Sequence, residues 1–354
     1  MRPTRLTVFL LAASAAGCSP DAPSAPDFQR PVVPALEAVD YALLGGGKIA
    51  FERIGQAGNA YNALYVIDAA AGSSAHYFNN TLFFGAALSP DGRRVAYTFF
   101  DEATRYDVFV ANLDRTDERH VTSFSGQEGP PTWTPDGSKV VVAATTDGPI
   151  YDIYSQSPVA NPTDQIQHTS FSVAPGQPFT CPLVADNDTR VVMSGQGLVA
   201  FACMAGEIDV LSSTGRIAAS YNPDRTNRRA WPNVFSPVWS PDGARLAFIE
   251  TTADSATGYR LTAVAVKVMN ADGSNVGTIV SMPTPGSDAQ AGGGWVGLNN
   301  FSLCWMPDGS RLVFNLPESA LVGHLWVVQP DGTGLAQLTT APGVWDRSVS
   351  CARS

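Results

Sequence analysis

Short apolar runs recur along the chain, each leading through a polar interval to a second run. The first of each pair is a triplet: Ile49-Ala-Phe51, Val95-Ala-Tyr97, Val140-Val-Val142, Val199-Ala-Phe201, Leu246-Ala-Phe248 and Leu312-Val-Phe314. The second runs include Leu64-Tyr-Val-Ile67, Val108-Phe-Val-Ala111, Ile153-Tyr154, Ile208-Asp-Val-Leu211, Val266-Lys-Val-Met269 and Leu325-Trp-Val-Val328. Runs this short, rich in β-branched and aromatic residues and bounded by turn signals, read as strands.

A turn phrase precedes most triplets: Leu88-Ser-Pro-Asp-Gly92, Trp133-Thr-Pro-Asp-Gly137, Trp239-Ser-Pro-Asp-Gly243 and Trp305-Met-Pro-Asp-Gly309, with Met193-Ser-Gly-Gln-Gly197 as a degenerate copy. Pro sets the first φ, Asp bonds its own backbone, and Gly takes the left-handed position that closes a strand pair. Further turns, Asn270-Ala-Asp-Gly273 and Gln329-Pro-Asp-Gly332, follow second runs. The triplets begin 46, 45, 59, 47 and 66 residues apart. Four short antiparallel strands in a period of roughly 40 to 50 residues is the unit of a β-propeller blade.

The expected fold is therefore all-β: a six-bladed β-propeller of four-stranded antiparallel blades, two of them carrying insertions. Blade one starts at Gly47-Lys-Ile-Ala-Phe51 with no inner strand before it. The C-terminal Asp346-Arg-Ser-Val-Ser-Cys351 matches Asn300-Phe-Ser-Leu-Cys304, the inner strand of blade six. The C-terminal strand is thus expected to complete blade one and close the ring, which leaves few unpaired strand edges.

These phrases resemble the TolB-like family of six-bladed propellers, whose repeats join Trp-Ser-Pro-Asp-Gly, an Ile-Ala-Phe-like strand, a Tyr-Val-Met-like strand, Asp-Gly and a closing Leu-Thr. Leu338-Thr339 and Val121-Thr122 match the close, and His168-Thr169 matches it in part. The resemblance covers about residues 45–354. It implies a fold shared by envelope binding modules and by the gating propellers of larger peptidases, so it does not select a function.

The N-terminus reads as an export signal over residues 1–17: Arg2 and Arg5, an apolar run from Leu6 to Ala13, then Ala15-Ala-Gly-Cys18. The run is too short to span a membrane as a helix. Small residues leading to a cysteine resemble a bacterial lipoprotein cleavage site, which implies lipidation of Cys18; the other reading is an ordinary secretory signal. Residues 18–40 would then be the lipidated cysteine and a Pro/Ala/Ser-rich tether, and residues 41–354 the propeller. Ser19 after the cysteine resembles the pattern that directs lipoproteins to the outer membrane.

The formal charge is −10. Loss of Arg2 and Arg5 leaves 20 basic residues against 32 acidic ones, about −12. Such a surface repels nucleic acid and anionic lipid, so membrane attachment would come through Cys18. Cys181, Cys203, Cys304 and Cys351 permit two disulfides in an exported protein. Cys304 and Cys351 hold matching positions on neighbouring inner strands, so a bond between them would lock the closure. Cys181 with Cys203 is the remaining pair.

Signals for chemistry are sparse. There is no Gly-x-Ser-x-Gly elbow, no Cys-x-x-Cys, and no His-Glu-x-x-His, so no catalytic residue, cofactor or metal is expected. His76, His120, His168 and His324 are scattered. Asp186-Asn-Asp188 lacks the length and Gly of a calcium loop, and Gly292-Gly-Gly294 lacks the Lys of a phosphate loop. Asp91, Asp136, Asp242 and Asp308 belong to turns. Trp133, Trp239 and Trp305 are expected to fill the wedge between blades.

In a four-stranded meander the first and third turns share one end, and the second turn and inter-blade connection share the other. The long segments, 172–189, 223–236, 251–261 and 282–300, all fall at the connection end, where binding is usually placed. Arg228, Arg229 and Trp231 cluster there, and Trp295 stands among glycines; Arg and Trp favour interfaces, although both tryptophans also suit plugs at a loop base. The expected function is a non-enzymatic, lipid-anchored envelope propeller facing the periplasm, docking a protein of a membrane complex. The alternative is a solute-binding or sensory propeller taking a glycan, peptide or metal ion in its central channel.

Overall fold

The computed structural model describes residues 35–55, 61–79, 83–101, 105–114, 116–122, 124–146, 151–159, 162–169, 190–203, 206–223, 234–254, 260–283, 301–319 and 322–354. The chain opens its sheets with β1 (Lys48–Gly55), β2 (Tyr61–Asp68) and β3 (Ser73–Asn79). Next come β4 (Phe83–Leu88), β5 (Arg94–Asp101), β6 (Arg105–Asn112) and β7 (Arg119–His120), then β8 (Thr132–Trp133), β9 (Val140–Ala144), β10 (Asp152–Gln156) and β11 (Ile166–Gln167). The second half holds β12 (Val192–Met193), β13 (Val199–Cys203), β14 (Glu207–Leu211) and β15 (Ile217–Tyr221), and then β16 (Val234–Trp239), β17 (Arg245–Asp254), β18 (Arg260–Asn270) and β19 (Gly277–Pro283). Last are β20 (Leu303–Trp305), β21 (Leu312–Ser319), β22 (Val322–Val328), β23 (Ala336–Gln337) and β24 (Val344–Ala352).

These strands build an all-β propeller of four-stranded antiparallel sheets. Among the described residues, β4 to β7, β8 to β11, β12 to β15 and β16 to β19 each form a separate sheet. The expectation of six separate sheets is corrected by the remainder, which forms one eight-stranded sheet. In it, β20 to β23 and the run β24-β1-β2-β3 are tied by a parallel bridge between Gly323 and Trp345. The C-terminal strand pairs antiparallel with β1, from Lys48 opposite Ala352 to Gly55 opposite Val344.

The recurrent turn phrases become hairpins for the reason their chemistry gives. In the first, Ser89 accepts the N–H of Gly92 on its carbonyl at 2.8 Å, and Asp91 accepts the N–H of Arg93 at 3.2 Å and the Ser89 hydroxyl at 2.5 Å. Gly92 sits at φ 64°, and a Cβ there would lie 2.2 Å from the carbonyl of Arg353. In the degenerate copy, which lacks the Asp, the Ser194 hydroxyl accepts the N–H groups of Gln196 and Leu198. The turn aspartates are thus structural acceptors.

The closing Thr also has a physical role. Thr122, Thr169 and Thr339 each accept a third-strand N–H, from Val108, Ile153 and Leu325, at 2.8 to 2.9 Å. Each hydroxyl then donates to an acid: Glu128, Asp152 and Asp346 respectively. Both capacities of a hydroxyl are used where the outer strand ends.

Apolar clusters lie between neighbouring sheets. One joins β4 to β6 with β8 to β10 around Trp133, another joins β13 and β14 with β16 to β18, and a third joins β16 to β18 with β20 to β22 around Trp305. Others join β1 and β2 to β4 to β6, and β9 and β10 to β12 to β14. Each fully buried Leu, Ile or Phe contributes about 1.5–3 kcal/mol.

The last cluster packs β1 and β2 against β20 to β22 and β24, and a strap ahead of β1 covers it. Leu36, Val39, Tyr41, Leu43 and Leu44 of that strap pack on the cluster, with Leu44 fully buried. Asp40 caps a 3-10 turn at Tyr41–Leu43 by accepting the N–H of Ala42. Residues 36–40, placed by their composition in the tether, are therefore part of the packed fold. Cys304 and Cys351 cross-link β20 to β24 with Cα atoms 5.6 Å apart; Cys181 and the side chain of Cys203 lie outside the described residues.

Two predictions follow from this packing. The Cys304–Cys351 bond closes a separation of 47 residues, so its removal in C304S/C351S should cost about 3–4 kcal/mol by loop entropy, seen as a lower urea midpoint at unchanged slope; an unmoved midpoint would contradict this. Glu128 is 2% exposed, and burial, with Asp107 nearby, pushes its carboxyl up to about 8 despite the Thr122 bond. A group raised on folding contributes stability below its unfolded value, and that contribution is lost as pH climbs toward 8. Stability should therefore fall between pH 5 and 8 by roughly 1–3 kcal/mol more in the wild type than in Glu128→Gln. Equal slopes in chemical denaturation would refute the assignment.

Candidate binding faces and the axial arginine

The first strand of each four-stranded run lies innermost, and bulges in three of these strands redirect their backbone. Gly85 in β4, Ser236 in β16 and Ser348 in β24 all take φ between 50° and 68°, and the pairing register shifts at each site. A bulge frees backbone groups from the ladder. Gly85 also has no room for a side chain, since a Cβ would lie 2.4 Å from Pro130 Cβ.

The freed groups and nearby side chains tie one first strand to the next. Trp133 Nε1 donates to the Ala87 carbonyl at 3.0 Å, joining β8 to β4, and Thr132 Oγ1 donates to Val191 just before β12. Trp239 Nε1 donates to Val192 at 3.3 Å, joining β16 to β12, and Ser236 Oγ donates to Phe301 beside β20. The Val349 N–H reaches Ser302 Oγ and the Leu88 N–H reaches Ser350 Oγ, each at 3.0 Å, joining β24 to the β20 segment and to β4. The tryptophans of the turn phrases thus act in sheet-to-sheet packing.

Arg190, immediately before β12, reaches past the adjacent strand. Its Nη1 donates to the Val349 carbonyl at 2.9 Å and its Nη2 to the Ala86 carbonyl at 3.1 Å. It is 9% exposed, so one guanidinium links three first strands across the interior. Both acceptors belong to bulged segments, which explains why their carbonyls are available. Ala86 is held on its other side by Glu52, which accepts its N–H at 3.0 Å and the Arg347 Nε at 3.2 Å. No sequence pattern marks Arg190, because its partners are backbone atoms.

A second charged group lies under the strap. Arg53, 1% exposed, donates to both carboxylate oxygens of Asp346 at 2.6 and 2.8 Å and to both of Glu37 at 2.6 and 3.1 Å. Its guanidinium also lies 5.6 and 5.3 Å from the Phe51 and Tyr65 ring centres. Burial pushes the Glu37 carboxyl up, but the bonds from Arg53 and from the Thr340 N–H outweigh it and hold it at about 2.

Among the described residues no group of His, Cys, Asp and Glu is placed to hold a metal. His120 stacks on Phe109, His168 bonds Ser155, and His324 is buried against Glu318. Of the residues read as a docking cluster, Arg228, Arg229, Trp231 and Trp295 lie outside the described residues, as does Cys18. The insertion at 251–261 is described at both ends, where Asp254 pairs with Arg260 and lengthens the β17–β18 hairpin.

No family model matches the chain. Over 60 residues it is 42% identical to the Tol-Pal system protein TolB of Alcanivorax borkumensis, a stretch that makes up 17% of this chain and 14% of that protein. Its fold is similar to TolB from Acinetobacter baumannii, with a TM-score of 0.63 at 18% identity over 88% of this chain and 69% of that one. It is also similar to Kuenenia stuttgartiensis hydrazine synthase, with a TM-score of 0.58 at 11% identity over 87% of this chain and 47% of that one. Identities this low establish the likeness as one of fold: a β-propeller of the TolB type.

Proposed function

We propose that the chain is a six-bladed propeller, closed by β24 beside β1, that docks a protein partner in the cell envelope in a role related to the Tol-Pal system. On this reading the eight-stranded sheet is two blades tied at one bridge. The succession of bonds from first strand to first strand supports the count and the closure. We read the protein as non-enzymatic and anchored through a lipidated Cys18, facing the periplasm from the outer membrane.

The observation that carries docking over channel binding is Arg190. A guanidinium bonded to Val349 and Ala86 fills the interior where a solute would otherwise sit, which leaves the outer faces for a ligand. The connection end, with its long segments, is the better face; the opposite end consists of tight turns whose aspartates are already used as acceptors. The local 42% identity to a Tol-Pal protein points to partners of that system.

Two outcomes test this. Cys18→Ser should move the protein from the membrane to the soluble periplasmic fraction, and continued sedimentation with membranes would remove the lipid anchor from the account. Arg228→Ala/Arg229→Ala/Trp231→Ala should abolish recovery of Tol-Pal components from detergent-solubilised membranes at unchanged Tm. Arg190→Ala should lower Tm by several degrees, through loss of charged hydrogen bonds worth about 1.5–3 kcal/mol each, and leave that recovery intact. Loss of recovery in the Arg190 variant alone would place binding in the channel instead.

A further inference from the structure

His324 is 4% exposed, and both of its ring nitrogens meet acceptors. Nδ1 lies 2.7 Å from Glu318 Oε1, and Nε2 lies 2.8 Å from the Ala341 carbonyl oxygen. A neutral imidazole carries one N–H and the cation carries two, so only the cation donates in both directions.

Ala341 connects this ring to the strap. Glu37 accepts the N–H groups of Thr340 and Ala341 on Oε1, at 2.8 and 3.2 Å, while Arg53 donates to both of its oxygens. Residues 340 and 341 are thus the seat on which the strap docks, and His324 holds Ala341 of that seat by its carbonyl. The charged groups around this seat come from four elements: Glu318 on β21, Glu37 on the strap, Arg53 on β1 and Asp346 on β24. Gln337 Nε2 adds a bond to Glu318 at 3.2 Å and one to the Thr339 carbonyl at 3.0 Å.

We propose that His324 is a proton-dependent latch for the strap at residues 36–44. Protonated, it pins the 340–341 seat to the β21–β22 hairpin. Deprotonated, it must leave either Glu318 or the Ala341 carbonyl without its donor, and the seat loosens. Glu37 stays ionised throughout the neutral range, since its carboxyl is held at about 2, so the strap's own anchor does not titrate there. The stabilisation from a protonated histidine is complete at low pH and disappears as pH rises. The device rests on the fold alone and is independent of the proposed partner.

Hydrogen exchange of the full-length protein tests it. After correction for intrinsic rates, protection of the amides in residues 36–44 should fall roughly tenfold between about pH 6 and about pH 8.5. In parallel, the His324 C2–H resonance, identified by its loss in His324→Gln, should titrate over the same interval. His324→Gln, which keeps one amide donor at every pH, should show a flat profile. A flat profile in the wild type, or an equal fall in His324→Gln, would overturn the proposal. If that variant does not fold, Glu318→Gln serves: removing the carboxylate that favours the cation should shift the wild-type transition to lower pH, and an unshifted transition would overturn the latch.

Discussion

The fold depends on one junction, where the C-terminal strand lies beside the first. There the guanidinium of Arg53 and the carboxylate of Asp346 face each other at 1% and 0% exposure. Charges so buried are tolerated only when paired and fully bonded. Asp346 receives Arg53 and Thr339, and Arg53 is completed by Glu37. One ion pair therefore binds four parts of the chain: β1, β24, the outer-strand close before β24, and the strap. A disulfide between β20 and β24 reinforces the same junction.

The interior follows a related logic. Regular antiparallel strands would satisfy their own backbones and leave nothing to join one sheet to the next except apolar packing. The bulges at Gly85, Ser236 and Ser348 break that self-sufficiency. The backbone groups they free, together with side chains close by, are taken up by neighbouring strands and by Arg190. The same arginine that ties the strands also occupies space that a channel ligand would need. This is the physical ground for placing recognition on an outer face.

Much of the fold was legible in the chain. Pro-Asp-Gly between two apolar runs has one good structural solution, and the hairpins at Asp91, Asp136, Asp242 and Asp308 adopt it. The match of Asp346–Cys351 to Asn300–Cys304 pointed to β24 beside β1. What was hidden depends on distance and on backbone. Arg53 and Asp346 are 293 positions apart, and nothing local to either marks the pair. Arg190 binds two carbonyls that any residue types would supply. The strap was misassigned because its composition continues that of the preceding Pro/Ala/Ser-rich residues, while its docking is decided by Glu37 meeting Arg53. The Cys18, Arg228, Arg229, Trp231 and Trp295 readings remain readings of sequence, since those residues lie outside the described ones.

The central claim is that the Arg53–Asp346 pair holds the first and last strands together, and a double-mutant cycle in chemical denaturation tests it most directly. Arg53→Met, Asp346→Leu and the double variant should each be compared with the wild type at neutral pH. The account predicts that either single change is strongly destabilising, by about 3–5 kcal/mol, with a coupling of about 2 kcal/mol or more that the double variant recovers. A coupling below about 0.5 kcal/mol, the level of an exposed pair, would contradict it.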